Sequence, residues 1–411
     1  MATQLLKTNA TVRRNPLAIA VLLGLSSCAA ETEPIQQTRT ALQADGTAEF
    51  KDRSDTITVR VSQCGWEGPG SRPFTCCAVA PGFVLAGGGA EIEGEAPQPG
   101  ALLVGSYPLW DKQQWCAESK DQNQQFVHRT RAYSIGLKLA GLTPAQLKAQ
   151  MKVVKVDGPR GHQVQATADL GPGFALLSGG GRANWAVFGL MLTQSANPNT
   201  NNLVAQWHVE GTDNAVPEEG FATAYAIGIK NPVPGFGQIQ WAKGITISDT
   251  GDGYRTMTQS EDILAVTGIG GLAFETVERH VRFLTDLIPF SDHPSDHSQQ
   301  GVFVSTKDHS FAQRGQAGAQ LVGLVCPAGL GCGPCVGSCG GQSPAGCFCD
   351  AACGDFGDCC PGKQATCGCT GTDCGPCVGF CGGKSAAGCY CDAVCGNFGD
   401  CCPGKAFACP G

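Results

Sequence analysis

The sequence predicts a mainly β protein, with three β-rich repeat units of sandwich-like character followed by two small disulfide-rich modules. Three observations carry this. Short segments between residues 56 and 325 alternate apolar and polar side chains with the period of a half-buried strand. A set of sequence marks in the same region returns three times at spacings of 91 to 95 residues, and such periodicity bears on architecture before any single element does. Of 25 cysteines, 20 fall in the final 86 residues, a density that belongs to a disulfide scaffold or a metal–thiolate cluster and not to an ordinary apolar core.

The chain opens with Lys7, Arg13 and Arg14, followed after Pro16 by the apolar run Leu17 to Leu25. That run has the length and flanks of a signal peptide and falls short of the ~20 residues a membrane-spanning helix needs. It ends in Leu25-Ser26-Ser27-Cys28, which resembles a bacterial lipobox. The resemblance implies removal of residues 1–27 and a lipid on Cys28, the expected attachment site. An ordinary secretory signal with an incidental cysteine is the plainer alternative, and a cytoplasmic N-terminal helix is a third. Removing residues 1–27 moves the formal charge from −7 to −10. An acidic chain argues against a nucleic-acid partner and offers no electrostatic hold on an anionic membrane, so lipid must supply the anchoring. Ala29 after the lipobox cysteine favours the outer membrane by the same resemblance, giving an expected location on the bacterial outer membrane or cell surface. Residues 28–54 have little bulky apolar content and are expected to form a flexible tether.

Three units follow, at 56–140, 152–232 and 244–325. Pro81-Gly82-Phe83 with Gly87-Gly88-Gly89 returns as Pro172-Gly173-Phe174 with Gly179-Gly180-Gly181, and more weakly as Ile263-Leu264 with Gly268, Gly270 and Gly271. Ala132-Tyr133-Ser134-Ile135-Gly136-Leu137-Lys138 matches Ala224-Tyr225-Ala226-Ile227-Gly228-Ile229-Lys230, with Leu321-Val322-Gly323-Leu324 in the third place. Trp115 to Asp121, Trp207 to Asp213 and Val302 to Asp308 lie between. The triple glycines lack the Lys-Ser/Thr ending of a phosphate loop and the helix of a dinucleotide fold, so they read as turns or close backbone approaches. Thr143 to Met151 is the one persuasive helix, capped by Thr143 and begun by Pro144. Whether each unit is its own sandwich or a sector of one β assembly stays open. Cys64, Cys76, Cys77 and Cys116 can form two bridges in the first unit, with Cys76 and Cys77 seeking different partners because adjacent cysteines close a strained ring.

The tail repeats at a displacement of 42 residues. Cys335, Cys339, Cys347, Cys349, Cys353, Cys359, Cys360 and Cys367 in residues 326–367 correspond to Cys377, Cys381, Cys389, Cys391, Cys395, Cys401, Cys402 and Cys409 in residues 369–409. The extra pairs Cys326 with Cys332 and Cys369 with Cys374 close short loops at the front of each copy. Each copy has few large apolar residues, so crosslinks must replace a core. Cys-x-Cys-Asp-x-x-Cys-x5-Cys-Cys, present as Cys347 to Cys360 and Cys389 to Cys402, resembles the somatomedin B domain. Pro361-Gly362-Lys363 and Pro403-Gly404-Lys405 follow the double cysteines where that family often has Asp-Tyr, and only seven residues separate Cys339 from Cys347. The resemblance implies the bridges Cys335–Cys349, Cys339–Cys367, Cys347–Cys360 and Cys353–Cys359, with the same pattern 42 residues later. It further implies a compact knot that binds other proteins through the loop before the double cysteine. Phe356 and Phe398, each followed by Gly and then Asp358 or Asp400, occupy that loop and are the expected partner-binding residues. A metallothionein-like cluster is the competing account of the cysteines, and it needs reduced thiolates that export opposes.

Catalytic signatures are sparse. Gly-x-Ser-x-Gly and His-Glu-x-x-His do not occur, and Cys332-Gly333-Pro334-Cys335 and Cys374-Gly375-Pro376-Cys377 match a redox motif only in spelling. Asp292, His293, Asp296 and His297, with Asp308 and His309 further along, form the best polar cluster, although Pro294 weakens a helix there and a solvated loop is the bland alternative. Two function classes result. One is a surface lipoprotein that mediates adhesion or protein–protein interaction, with an extracellular or surface protein as partner, no cofactor and no catalytic residue. The other is an exported hydrolase using a metal-assisted site at His293, His297 and Asp308, which a cleft gathering those residues would favour.

Overall fold

The computed structural model describes residues 47–367 except 53, 94–100, 122–125, 187–188, 200–203, 214–215, 249–253, 260–264, 276–281, 291–299, 309–314, 327–331, 337, 339–340, 344, 351–352, 354–357, 361–362 and 364–366. It is mainly β, with a disulfide-rich region at the C-terminal end. The first unit supplies β1 (Thr47–Lys51), β2 (Ile57–Gln63), β3 (Phe74–Ala78), β4 (Val84–Ile92), β5 (Leu102–Leu109), β6 (Gln114–Lys120) and β7 (Thr130–Leu139). A short helix, α1 (Pro144–Ala149), leads to β8 (Met151–Asp157), β9 (Gln163–Asp169), β10 (Phe174–Asn184), β11 (Met191–Ala196), β12 (Gln206–Thr212) and β13 (Phe221–Lys230). The third unit is β14 (Gln240–Ile247), β15 (Tyr254–Gln259), β16 (Ala265–Glu275), β17 (Arg282–Ile288), β18 (Gly301–Asp308) and β19 (Gly315–Val325). No helix of the described residues is long and apolar enough to cross a membrane.

No sheet belongs to one unit. The strand orders are β1-β2-β7-β4-β17-β18-β15, β3-β6-β5-β10-β13-β8 and β14-β19-β16-β11-β12-β9. With β1 set aside, every unit keeps its first, third and sixth strands together and sends its second, fourth and fifth to the sheet of a neighbour. The first unit gives to the second, the second to the third, and the third back to the first, so the exchange closes on itself with approximate threefold symmetry. The three stretches are therefore sectors of one interlocked assembly. The seams between units are short antiparallel joints: Ser106 and Gly105 against Gly181 and Arg182, Gln194 and Ser195 against Leu272 and Gly271, and Leu287 against Ala90.

Glycine makes this convergence feasible. The third strand of each unit carries a β-bulge at the same place, between Leu85 and Gly87, Leu176 and Ser178, and Val266 and Gly268. Beyond it, a Cβ on Gly88 would lie 2.2 Å from Cγ of Trp115, and one on Gly179 would lie 2.1 Å from Cγ of Trp207. The indoles lie against bare backbone, and their Nε1 groups donate to Ser106 Oγ at 2.9 Å and Ser195 Oγ at 3.0 Å. In the third unit Val302 replaces the tryptophan and Ile269 replaces the glycine. Volume is traded across the pair, which is why the glycine signature fades there. Other glycines face backbone from a neighbouring unit: a Cβ on Gly89 would lie 2.1 Å from Leu287 O, and one on Gly268 would lie 2.4 Å from Leu177 O. They are close approaches of chain to chain.

A second position shows the same economy. Cys76 on β3 and Cys116 on β6 are cross-strand partners and are joined by a disulfide. Thr167 on β9 and His208 on β12 are the corresponding pair in the second unit, linked by a 2.8 Å hydrogen bond between Thr167 Oγ1 and His208 Nδ1. The other bridge of the first unit, Cys64–Cys77, ties the residue after β2 to β3 in the second sheet, so the adjacent cysteines do take different partners.

Two boundaries differ from the sequence expectation. Residues 47–52 were expected in the flexible tether 28–54, yet β1 pairs along β2, with Phe50 opposite Val59, and Ala48 and Phe50 are buried. Two apolar side chains in alternation suffice when an existing sheet edge supplies the hydrogen bonds. The helix expected over Thr143 to Met151 spans only Pro144–Ala149, capped by Thr143 and Gln146 in a capping box. Met151 instead opens β8, where pairing with Ile229 outweighs two further helical residues. The half-buried alternation expected for β7 becomes burial on both faces, because Val79 and Phe83 cover the side opposite Tyr133 and Ile135 at Gly136.

Candidate interaction site

The first tail copy begins inside the β assembly. At the end of β19 the Cys326 N–H donates to Asp52 Oδ2 at 3.1 Å, and the same carboxylate accepts from Ile57 N–H at 3.0 Å and Ser54 Oγ at 2.7 Å. Asp52 is buried, and that burial raises its pKa against the opposing pull of those hydrogen bonds. The Cys326–Cys332 bridge closes the first loop of the tail, with Cys332 fully buried in the main apolar core alongside Val233 and Phe236. Gly333 N–H donates to Phe236 O at 2.7 Å, and Pro334 packs so closely on Gly141 that a Cβ there would lie 3.0 Å from its ring. Connectors from all three units thus meet at this seat.

Beyond Pro334 sulfur replaces hydrocarbon as the core. Cys335–Cys349, Cys347–Cys360 and Cys353–Cys359 are bonded, the same pairs that the family resemblance implies. Cys367 is also disulfide-bonded; Cys339, its implied partner, lies outside the described residues. Cys335, Cys349 and Cys360 are buried with sulfur atoms within 4.8 Å of one another, and Cys347 and Cys367 pack around them. Those sulfurs are spent in bridges, so their proximity is the stacking of a disulfide knot. Backbone hydrogen bonds lock the same turn: Phe348 N–H to Asp358 O at 3.0 Å, Cys360 N–H to Phe348 O at 2.9 Å and Cys349 N–H to Gly341 O at 2.8 Å. Asp350 Oδ1 accepts from Cys353 N–H at 3.1 Å.

Of the expected partner-binding residues, Asp358 is exposed next to the Cys359-Cys360 pair. Phe356, Phe398 and Asp400 lie outside the described residues, as do Cys28, the whole 369–409 copy, His293 and His297. Asp308 closes β18 opposite Arg282, and its side chain is likewise outside the description. The side chains of the His/Asp cluster of the hydrolase alternative thus lie outside the described residues.

Sequence reasoning missed two side-chain groups. On the outer face of the second sheet, Tyr107, Glu118, Arg182 and Tyr225 come from four strands and two units. Burial, followed by the Glu118 carboxylate, raises the Tyr107 phenol's pKa. At the corner between β6 and β7, buried His128 lies 2.7 Å through Nε2 from Ser119 Oγ and 2.8 Å through Nδ1 from the Phe126 carbonyl. No local spacing signals either group, since each depends on which strands become neighbours. No family model matches the chain, and no curated protein matches it.

Proposed function

We propose that this protein is an exported, lipid-anchored surface protein that holds protein-binding cysteine-rich modules on a β scaffold. The single observation that carries the reading is the way the first module is mounted. Its opening loop is built into the scaffold core through Cys332, Gly333 and Asp52, and its next turns are fixed by the bridges around Cys335, Cys349 and Cys360. A module fixed in this way loses little further entropy when it engages a partner. The lipid on Cys28, the outer-membrane location and the somatomedin B-like character of both copies belong to this proposal and rest on the sequence motifs. Two linked copies give avidity for a repetitive extracellular or surface protein, with Phe356 and Phe398 as apolar anchors beside Asp358 and Asp400.

The test is a full-length variant carrying Phe356→Ala and Phe398→Ala, fluorescently labelled and titrated onto intact cells that display the chain. The expected result is saturable binding by the parent and about tenfold weaker binding by the variant, on the scale of a lost aromatic anchor. Intact mass after alkylation should show every bridge retained. Equal binding by the two proteins would remove the tail from the binding role.

A further inference from the structure

The outer face of the second sheet carries a polar and aromatic band that has no part in the function proposed above. Glu118 on β6, Gly105 on β5, Arg182 on β10 and Thr223 on β13 lie in one cross-strand row, with Phe74 on β3 opposite Glu118. Tyr107 folds over Gly105, where a Cβ would lie 3.0 Å from its ring. Its hydroxyl donates to Glu118 Oε1 at 2.7 Å, and Arg182 Nε donates to Glu118 Oε2 at 2.9 Å. The guanidinium carbon is 5.5 Å from the Tyr107 ring centre, and the Tyr225 ring is stacked 5.7 Å from that of Tyr107 with the planes 14° apart.

Arg182 is consequently fixed at one edge and free at the other. Its Nη groups make no hydrogen bond among the described residues, and its side chain is 39% exposed. The pseudo-threefold relation shows that the fold does not require this openness. In the first sheet the corresponding Tyr133 and Glu91 are buried, Phe290 lies edge-on to Tyr133, and Trp66 covers the adjoining Arg131 at 4.0 Å. In the third sheet Gln320 and Leu272 take those places, and both are buried. The band is electrically balanced, because Arg182 pairs with Glu118 and Lys155 with Asp157. From Phe74, 47% exposed at the edge, to half-buried Tyr225 it crosses four strand spacings, or ~19 Å.

We propose that this face binds a neutral polysaccharide. A pyranose ring has an apolar C–H face and a rim of hydroxyls. Tyr225 and exposed Phe74 supply flat apolar contacts, and the free Nη edge of Arg182 supplies paired donors to adjacent hydroxyls. Tyr107 and Glu118 act as positioning residues that hold the guanidinium in place. The absence of net charge along the band selects against a polyanion, and its length suits several linked sugar rings.

Affinity electrophoresis of the full chain through gels containing soluble starch, laminarin, mannan or polygalacturonate tests the assignment. At least one of the three neutral polysaccharides should retard the chain, with little sensitivity to salt. Tyr225→Ala and Phe74→Ala should each weaken that retardation about five- to tenfold, the scale of one aromatic stack, whereas Tyr225→Phe should preserve it. Phe74 is at the exposed sheet edge, so its variant keeps the test decisive if Tyr225→Ala fails to fold. The assignment is overturned if no neutral polysaccharide retards the chain, if polygalacturonate alone does so, or if folded Phe74→Ala migrates as the parent does.

Discussion

His128 shows how burial sets the behaviour of one side chain. The Phe126 carbonyl can only accept, which places the proton on Nδ1 and leaves Nε2 to accept from Ser119. Desolvation is the largest influence and lowers the imidazole's pKa below its ordinary 6.5, with Lys307 acting in the same direction and Phe126, Asp121 and Glu93 opposing. Above about pH 6.5 the ring is neutral in both folded and unfolded chains, and its contribution to stability is fully present. Below that, the unfolded chain takes up a proton that the folded one resists, so stability is lost as pH falls through the folded pKa. Thermal unfolding of the parent should therefore decline more steeply from pH 6.5 to 5 than that of His128→Asn. Parallel declines would show that the ring is not buried as described. Lys120 illustrates the same desolvation on a cation: burial lowers its pKa to about 8, and its ammonium sits 5.3 Å from the centre of the Trp185 ring.

At the scale of elements, each glycine of the β4 triplet has its own neighbour, and the consequences of substitution differ along the chain. Gly88→Ala drives a methyl into Trp115 and the Tyr133 carbonyl, whose distances of 2.2 and 2.3 Å leave no room without moving backbone. We expect a loss of about 3 kcal/mol, at the upper end of overpacking effects, read from denaturant unfolding. Gly68→Ala, with nothing within 4 Å of the new methyl, should stay within about 0.5 kcal/mol of the parent. A similar loss at both positions would mean that backbone flexibility and not packing dictates the glycines. The periodicity of these triplets was legible in the sequence, which left open turns or close backbone approaches; they lie within β4 and β10, so only the second reading holds. Their partners were not legible, because an indole from one strand and a carbonyl from a neighbouring unit carry no mark in the local sequence.

For the molecule as a whole, the junction at Cys326 makes the tail part of the scaffold's stability. Ending the chain at Leu324 removes Val325 from β19, takes the Cys326 N–H from Asp52 and empties the buried place of Cys332 beside Phe236. The lost burial and hydrogen bond should cost about 3 kcal/mol, lowering the thermal midpoint by roughly 5–10 °C. A chain ending at Pro334 keeps the Cys326–Cys332 loop and should melt close to the parent. If the two shortened chains melt together, the loop is an appendage. Any loss of binding after truncation at Leu324 therefore has to be separated from loss of scaffold, which the paired phenylalanine substitutions accomplish.

The sequence by itself determined the mainly β character, the three related stretches, the capped start of the helix and the disulfide-rich tail. Strand alternation, a capping residue and cysteine spacing each act over a few neighbouring residues, so each is written locally. Only the tertiary structure decided that the stretches interlock, since the choice between pairing a fifth strand at home or with a neighbour changes no local propensity. The same holds for β1, whose Phe50 gains a core only once β2 is in place, and for the Tyr107, Glu118, Arg182 and Tyr225 group, whose members lie as much as 118 residues apart in the chain. Long-range pairing is selected by the apolar surface it buries against loop-closure entropy, and that balance belongs to the whole chain and not to any window of it.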